Sequence, residues 1–358
     1  MTSPIIFVLP GNLAPYQVAR FNRLFELEIE FEVWILEVKQ HARPWSESDT
    51  SPRFKTRAVS LCEAIDLLRK MDAGLLIVYG YISVMRALAW RFQLRSWRIG
   101  MFIDVFESGN PSLFKEFFKK IFLRCMVDFF IVPGVLQAKY VGSLVGHTRD
   151  VALCPLVQEG NLKGIPRPHS NPNYLFVGRF SEEKNLSLLV EAFHKYRRAG
   201  GCRSLTLVGD GPVREMLAND ISKRNLEGVV TTIPWLSQAE LAEVYRKAFA
   251  FVLPSRFEPW GVVISEAIQS GLPLIVSSRV GCRLELARDD ENCLTFSHFD
   301  ASELADAFMR VEAFERHQAM GLASCRLAEF YSPECAARDL ATAIRKQTRL
   351  ISEDKVDK

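Results

Sequence analysis

Four ionisable side chains, Arg179, Lys184, Glu258 and Glu266, fall in two short segments that each join a strand-like apolar run to a helical pattern. The first segment reads FVGRFSEEKN over 176–185, where the apolar run closes at Gly178 and Arg179 and Lys184 flank the start of a helix. A helix start offers unpaired N–H groups and the positive end of its dipole. A guanidinium can fork two phosphate oxygens while an ammonium adds a compact charge, so the pair suits a diphosphate. Taken alone, the two cations serve equally well as solvated partners of Glu182 and Glu183.

The second segment, PSRFEPWGVVISEAIQSG over 254–271, runs from a strand end through a turn holding Pro259 and Gly261 into a helix that opens at Val262. Glu258 is placed in the loop at the helix start. Glu266 lies one turn inside, where a carboxylate can accept from two vicinal hydroxyls such as those of a ribose. Gly261, Val262 and Val263 would present backbone N–H groups to a phosphate.

These loops need elements to hold them. Short apolar runs alternate with helix-period segments along the whole chain, the pattern of parallel strands buried on both faces. Strands are predicted at 5–9, 31–36, 74–80, 98–103 and 128–133, and again at 174–178, 204–209, 229–233, 250–255 and 272–277. Between the sets, residues 158–173 (QEGNLKGIPRPHSNPN) lose apolar periodicity and read as a linker. The fold class is α/β, with two Rossmann-like doubly wound domains, 1–157 and 174–332, facing across a cleft. Helical segments at about 300–329 and 333–350 close the chain. The helix of 333–358 could pack back on the first domain, with ISEDKVDK frayed at its end. Neither first strand is followed by GxGxxG, since the loops read VLPGNLAPY and FVGRFSEEKN, which disfavours a nicotinamide dehydrogenase.

With 358 residues, 48% hydrophobic and 24% charged, both halves can bury a full sheet. A formal charge of +3 gives no case for nucleic-acid binding. The eight cysteines form no CxxC pair and read as buried free thiols. The strand-like start lacks the features of a signal peptide and no apolar run reaches a membrane-spanning length, so a cytoplasmic location is expected.

Taken in order, the strand-GRF-x-x-x-K-N segment, VGDGP at 208–212 and the PS-x-x-E-P-W-G loop with its Glu258 and Glu266 pair closely resemble the retaining glycosyltransferase family 4 of the GT-B fold. The resemblance covers about residues 172–296. It implies a hexose-type sugar moved, with retention, from a nucleotide-diphosphate sugar to a glycan or lipid-linked saccharide, in polysaccharide or glycoconjugate biosynthesis. Arg179 and Lys184, following Gly178, would neutralise the departing diphosphate. Glu258 would hold sugar hydroxyls rather than act as nucleophile, and Glu266 would bind the ribose. Backbone at Trp260, Gly261, Val262 and Val263 would contact sugar and phosphates. Gly209, Gly211 and Leu236 would border the base.

Fixed cations and N–H dipoles at the leaving phosphate stabilise charge that grows in the transition state, so no metal or other cofactor is required. The chain also lacks Asp-x-Asp at a strand end, and Asp289-Asp290 sits in a solvated RDDEN stretch. In the first domain the loop Pro10–Tyr16 resembles the one that relatives place beneath the donor sugar, with Gly11, Asn12 and Tyr16 as candidates. Asp104 and Glu107 follow the RIGMFI strand, where many relatives carry a His that this chain lacks.

The stretch 112–130 sets Phe114, Phe118, Ile121, Phe122 and Cys125 on one helical side, with Lys115, Lys119, Lys120 and Arg124 nearby. That composition suits either a core helix with a solvated basic face or peripheral contact with an anionic membrane at its inner surface. Two rival functions share the scaffold: an epimerase or phosphorylase of nucleotide sugars or glucans, and a non-catalytic sugar-binding relative.

Overall fold

The computed structural model describes residues 3–36, 51–80, 96–106, 113–146, 150–158, 173–297 and 300–356; of 113–115 and 354–356 it describes the backbone alone. The predicted linker, apart from its first and last residues, lies outside these. The chain divides into two compact units, Met1–Val157 with Pro333–Lys358, and Gln158–Ser332.

The first unit runs β1 (Ile5–Pro10), α1 (Pro15–Glu26), β2 (Glu32–Leu36), β3 (Lys55–Val59), α2 (Leu61–Arg69), β4 (Leu75–Tyr79), β5 (Arg98–Phe102), α3 (Leu113–Met126), β6 (Phe129–Val132), α4 (Val135–Val145) and β7 (Asp150–Leu153). Its sheet is parallel throughout, in the order β3-β2-β1-β4-β5-β6-β7. The second unit runs β8 (Tyr174–Val177), a 3-10 turn (Glu182–Lys184), α5 (Leu186–Arg198), β9 (Leu205–Val208), α6 (Arg214–Lys223), β10 (Val230–Ile233), α7 (Gln238–Lys247), β11 (Ala250–Leu253), α8 (Val262–Gln269), β12 (Leu274–Ser277), β13 (Cys293–Phe296), α9 (Ala301–Val311) and α10 (Phe314–Phe330). Here the order is β10-β9-β8-β11-β12-β13, again parallel. Both units are thus Rossmann-like.

Crossover helices cover both faces of such sheets, so interior strands must be apolar on both sides. LLIVY of β4, FFIV of β6, YLFV of β8 and AFVL of β11 are buried at every position. The strands that the apolar pattern missed are β3 (KTRAV), β7 (DVAL) and β13 (CLTF). All three lie at sheet edges, where one side has no neighbour; β3 and β7 accordingly carry exposed or polar residues.

The single helix expected over 300–329 is two, broken at Glu312 and Ala313. Ala313 is extended (φ −60°, ψ 120°), and the Glu312 carboxylate accepts from Tyr174 Oη at 3.1 Å and pairs with Arg203 at 3.4 Å. The terminal helix α11 (Pro333–Val356) does not fray at 351, because Ile351 is buried. The thiols also depart from expectation: Cys154, Cys282 and Cys293 are buried, whereas Cys62, Cys125 and Cys202 are exposed. Among the described residues no helix is long and apolar enough to cross a membrane.

Helix α11 belongs to the first unit although it follows the second in sequence. Ala336, Ala337, Leu340, Ala341 and Ile344 are buried. Polar ties fix the register: Glu334 pairs with Arg23 at 2.9 Å, Lys346 with Asp150 at 2.8 Å, and Gln347 accepts from Arg98 Nε at 3.0 Å while donating to Asp150 at 2.6 Å. Leu340→Ala should therefore destabilise the first unit by about 2–4 kcal/mol through the cavity it leaves. Urea unfolding followed by tryptophan fluorescence measures this; a loss below ~1 kcal/mol would mean that the helix does not hold the unit together.

Candidate active site

In the second unit the chain winds from β8 out to β10, then returns to β11 on the other side of β8 and winds out to β13. The carboxyl ends of β8 and β11 therefore border the point where the winding reverses. Loops there part in opposite directions and leave a crevice, the usual ligand site of an open parallel sheet. Gly178, Arg179 and Lys184 follow β8, and Glu258, Trp260 and Gly261 follow β11, so topology alone brings the two motifs side by side.

Hydrogen bonds stitch the loops together. Arg256 donates its backbone N–H to Glu183 O (2.8 Å) and its Nε to Asn185 Oδ1 (3.2 Å). Lys184 Nζ meets the Glu258 carboxylate, which also accepts from the buried Ser255 hydroxyl at 3.4 Å. The Lys184 and Glu258 side chains are only 17% and 13% exposed, so this ion pair is largely out of water. A third loop, after β12, clamps Glu258 from behind: Glu258 N–H donates to Arg279 O (3.0 Å), Gly281 N–H to Glu258 O (2.9 Å) and Cys282 N–H to Trp260 O (3.1 Å). Arg179 is exposed at the same mouth and forms no ion pair among the described residues.

The two helix starts differ from expectation in one respect. Lys184 flanks the start of α5, but from within a 3-10 turn. Its N–H donates to Ser181 O (3.0 Å) and that of Asn185 to Glu182 O (3.1 Å), so these amides are consumed within the 3-10 turn. The β8 side consequently offers side-chain cations, while the backbone donors come from α8. There Gly261 caps the helix at φ 100°, and Val262 and Val263 are first-turn residues whose N–H groups have no intrahelical acceptor. The Trp260 side chain is 2% exposed and turns into the core.

Gly209 and Gly211 serve close approach. Gly209 has φ 142°, and a Cβ there would lie 2.0 Å from Gly178 O; one at Gly211 would lie 2.3 Å from Phe180 O. The loops after β8 and β9 thus touch backbone to backbone. Gly209 N–H donates to Ile233 O (2.8 Å) at the end of β10, beyond which Leu236 is partly buried and Trp235 is exposed.

Glu266, partly buried on α8, accepts from Tyr245 Oη at 2.8 Å. Burial, offset only in part by the Tyr245 hydrogen bond, pushes its carboxyl up to about 7. Sequence reasoning missed Tyr245, which lies on α7 with no motif around it. It also missed Ser255 and Arg256, inside the motif that was read, and the Arg279–Cys282 clamp.

The candidates of the first unit lie after β1 and β5. Gly11 has φ 72° and donates its N–H to Leu36 O at 3.2 Å. Asn12 is exposed, Tyr16 is partly buried in the first turn of α1, and Asp104 is exposed just past β5. Glu107 lies outside the described residues. Among the described residues no three His, Cys, Asp or Glu side chains gather as metal ligands.

Two outcomes follow from this geometry. Gly209→Ala should displace the loop after β8, because neither the backbone contact nor the positive φ admits a side chain; loss of at least tenfold in ligand affinity by calorimetry, with far-UV dichroism retained, is expected. Glu266, neutral in the fold up to about pH 7 and ionised in the unfolded chain from about pH 4.5, should make stability fall as pH rises between those values. Urea midpoints across that window should flatten in Glu266→Gln, and Tyr245→Phe should extend the fall to higher pH. Identical slopes in wild type and Glu266→Gln would remove the claim.

Residues 158–321 match the protein family described as Glycosyl transferases group 1. A glycogen synthase of Mycobacterium tuberculosis is 31% identical over 146 residues, 40% of this chain and 35% of that protein. The chain thus matches about a third of such a relative's length. Over nearly the whole chain the likeness is structural: sucrose-phosphate synthase of Thermosynechococcus elongatus superposes with TM-score 0.77 at 18% identity, covering 97% of this chain and 100% of that one. Anabaena HepE, in complex with UDP and glucose, gives 0.76 at 12% identity over 96% and 100%. The fold is GT-B, and the match to the glycosyl transferases group 1 family lies within the second unit.

Proposed function

We propose that this chain is a retaining glycosyltransferase that moves a hexose-type sugar from a nucleoside-diphosphate sugar to a saccharide or lipid-linked saccharide acceptor, without a divalent metal. The observation that carries this reading is the meeting of Lys184 and Glu258 at the β8/β11 switch point, with Arg179 exposed in the loop after β8 and the first-turn amides of α8 following the loop after β11. A diphosphate and a sugar hydroxyl are the ligands that such a cation and such a carboxylate would hold in place of each other. HepE, a structural neighbour, binds UDP and glucose, which supports the donor class.

In the reaction the bond from the sugar's anomeric carbon to the diphosphate oxygen breaks, and the electron pair stays on that oxygen. Arg179 and Lys184 meet the growing charge, as do the N–H groups of Val262 and Val263. Glu258 accepts from sugar hydroxyls and fixes the ring, and Glu266 takes the ribose. The acceptor oxygen bonds to the anomeric carbon on the face the diphosphate leaves, and its proton passes to the departing phosphate oxygen. Retention then needs no carboxylate nucleophile. Gly11, Asn12, Tyr16 and Asp104 of the first unit are the candidates for the acceptor side.

Melting curves with UDP, GDP and ADP and their sugars test the reading. At least one diphosphate should raise the melting temperature, undiminished by EDTA, and the gain should vanish in Arg179→Ala and Lys184→Ala. Glu258→Gln should bind the same nucleotide and lose about 100-fold or more in turnover. A stabilisation that EDTA abolishes would overturn the metal-free mechanism, and near-normal turnover of Glu258→Gln would overturn the role given to that residue.

A further inference from the structure

Helix α3, LFKEFFKKIFLRCM, has two unlike sides. Leu123 and Met126 are buried in a cluster with Met101, Phe130, Val141 and Leu144, and Phe122 packs against it. Phe122 therefore parts from the side that its spacing shares with Phe118 and Ile121, and Phe117 joins those two in the solvent. Phe117, Phe118 and Ile121 are 58%, 53% and 44% exposed, and the two phenyl rings meet edge-on with centroids 5.9 Å apart. Three large apolar groups within five positions on solvent are costly unless something covers them.

The charge around them indicates what does. Helix α3 carries four cations, Lys115, Lys119, Lys120 and Arg124, against the one acid Glu116, so its net +3 equals the formal charge of the whole chain. Lys119 lies over the Tyr140 ring, 4.8 Å from the centroid, and bonds its hydroxyl. Lys120, partly exposed, and the exposed Arg124 border the apolar residues, and Lys139 on α4 adds an exposed cation. A second copy of the chain would set two such positive faces against each other, which disfavours self-association here. Phenyl rings flanked by long cationic side chains match the boundary between acyl chains and anionic headgroups.

We propose that the outer face of α3 docks the protein onto an anionic lipid surface, with Phe117, Phe118 and Ile121 entering the headgroup boundary and Lys120 and Arg124 meeting lipid phosphates. This rests on α3 alone and stands apart from the catalytic reading.

Flotation of the full chain with phosphatidylcholine vesicles, with and without phosphatidylglycerol, tests it. Binding is expected to the anionic vesicles at about 0.1 M salt, and about tenfold less on neutral vesicles or at ~1 M salt. Phe117→Ser combined with Phe118→Ser, and Lys120→Gln combined with Arg124→Gln, should each lower binding about tenfold while leaving the melting temperature unchanged. Absence of vesicle binding, equal binding to neutral vesicles, or double variants that bind like wild type would overturn the proposal. So would a dimer in sedimentation velocity that the Phe117 and Phe118 substitutions dissolve, since the face would then belong to a second copy.

Discussion

The ion pair between Lys184 and Glu258 joins segments 74 residues apart, and the site is organised around it. Both groups lose most of their water when the second unit folds, a cost that mutual attraction offsets only if the geometry is held closely. Backbone bonds supply that hold. The Glu258 peptide is fixed on both sides by the loop after β12, and the turn carrying Lys184 is fixed by the Arg256 and Glu183 peptides. A charge kept in place by peptide groups reorganises little when a ligand arrives, which is the condition for electrostatic catalysis.

That stitching is possible because the sheet is parallel and its order reverses between β8 and β11. All strands point the same way, so every loop that follows a strand gathers at one edge. The glycines at 209 and 211 then let neighbouring loops approach to backbone contact. The opposite edge of the same sheet is used for stability. There Tyr174, Tyr196 and Arg203 converge on Glu312, and Arg203 stacks 3.5 Å above the Phe249 ring. The buried hydroxyls of Tyr174 and Tyr196 are pushed up by burial, as expected of groups that stay protonated and serve as hydrogen-bond donors.

The first unit repeats the topology. Its reversal lies between β1 and β4, and the loop after β1 offers Gly11 and Asn12. Among the described residues of this unit the buried charged group is Arg20, which is 1% exposed, donates to Tyr79 Oη at 2.6 Å and to Cys154 Sγ at 3.5 Å, and lies over the Phe102 ring. A helical period in PYQVARFNRLFE marks which face α1 buries. It does not reveal that one buried residue is a guanidinium whose two terminal nitrogens meet a phenol and a thiol while its plane lies among ring faces.

What the sequence determined by itself was everything encoded within about one loop and its flanking elements. Apolar runs located the interior strands, because burial on both faces leaves no room for polar positions. The glycine, proline and charge pattern of 176–185 and 254–271 located the two loops of the candidate site, because turn chemistry and helix starts are local. The edge strands β3 and β7 stayed hidden, since an edge tolerates polar residues and imposes no run. The break at Glu312, the hold of Tyr245 on Glu266 and the clamp of Arg279–Cys282 on Glu258 were likewise illegible. Each is a contact between residues distant in sequence, and only the closed tertiary structure decides which distant groups share a hydrogen bond and which are cut off from water.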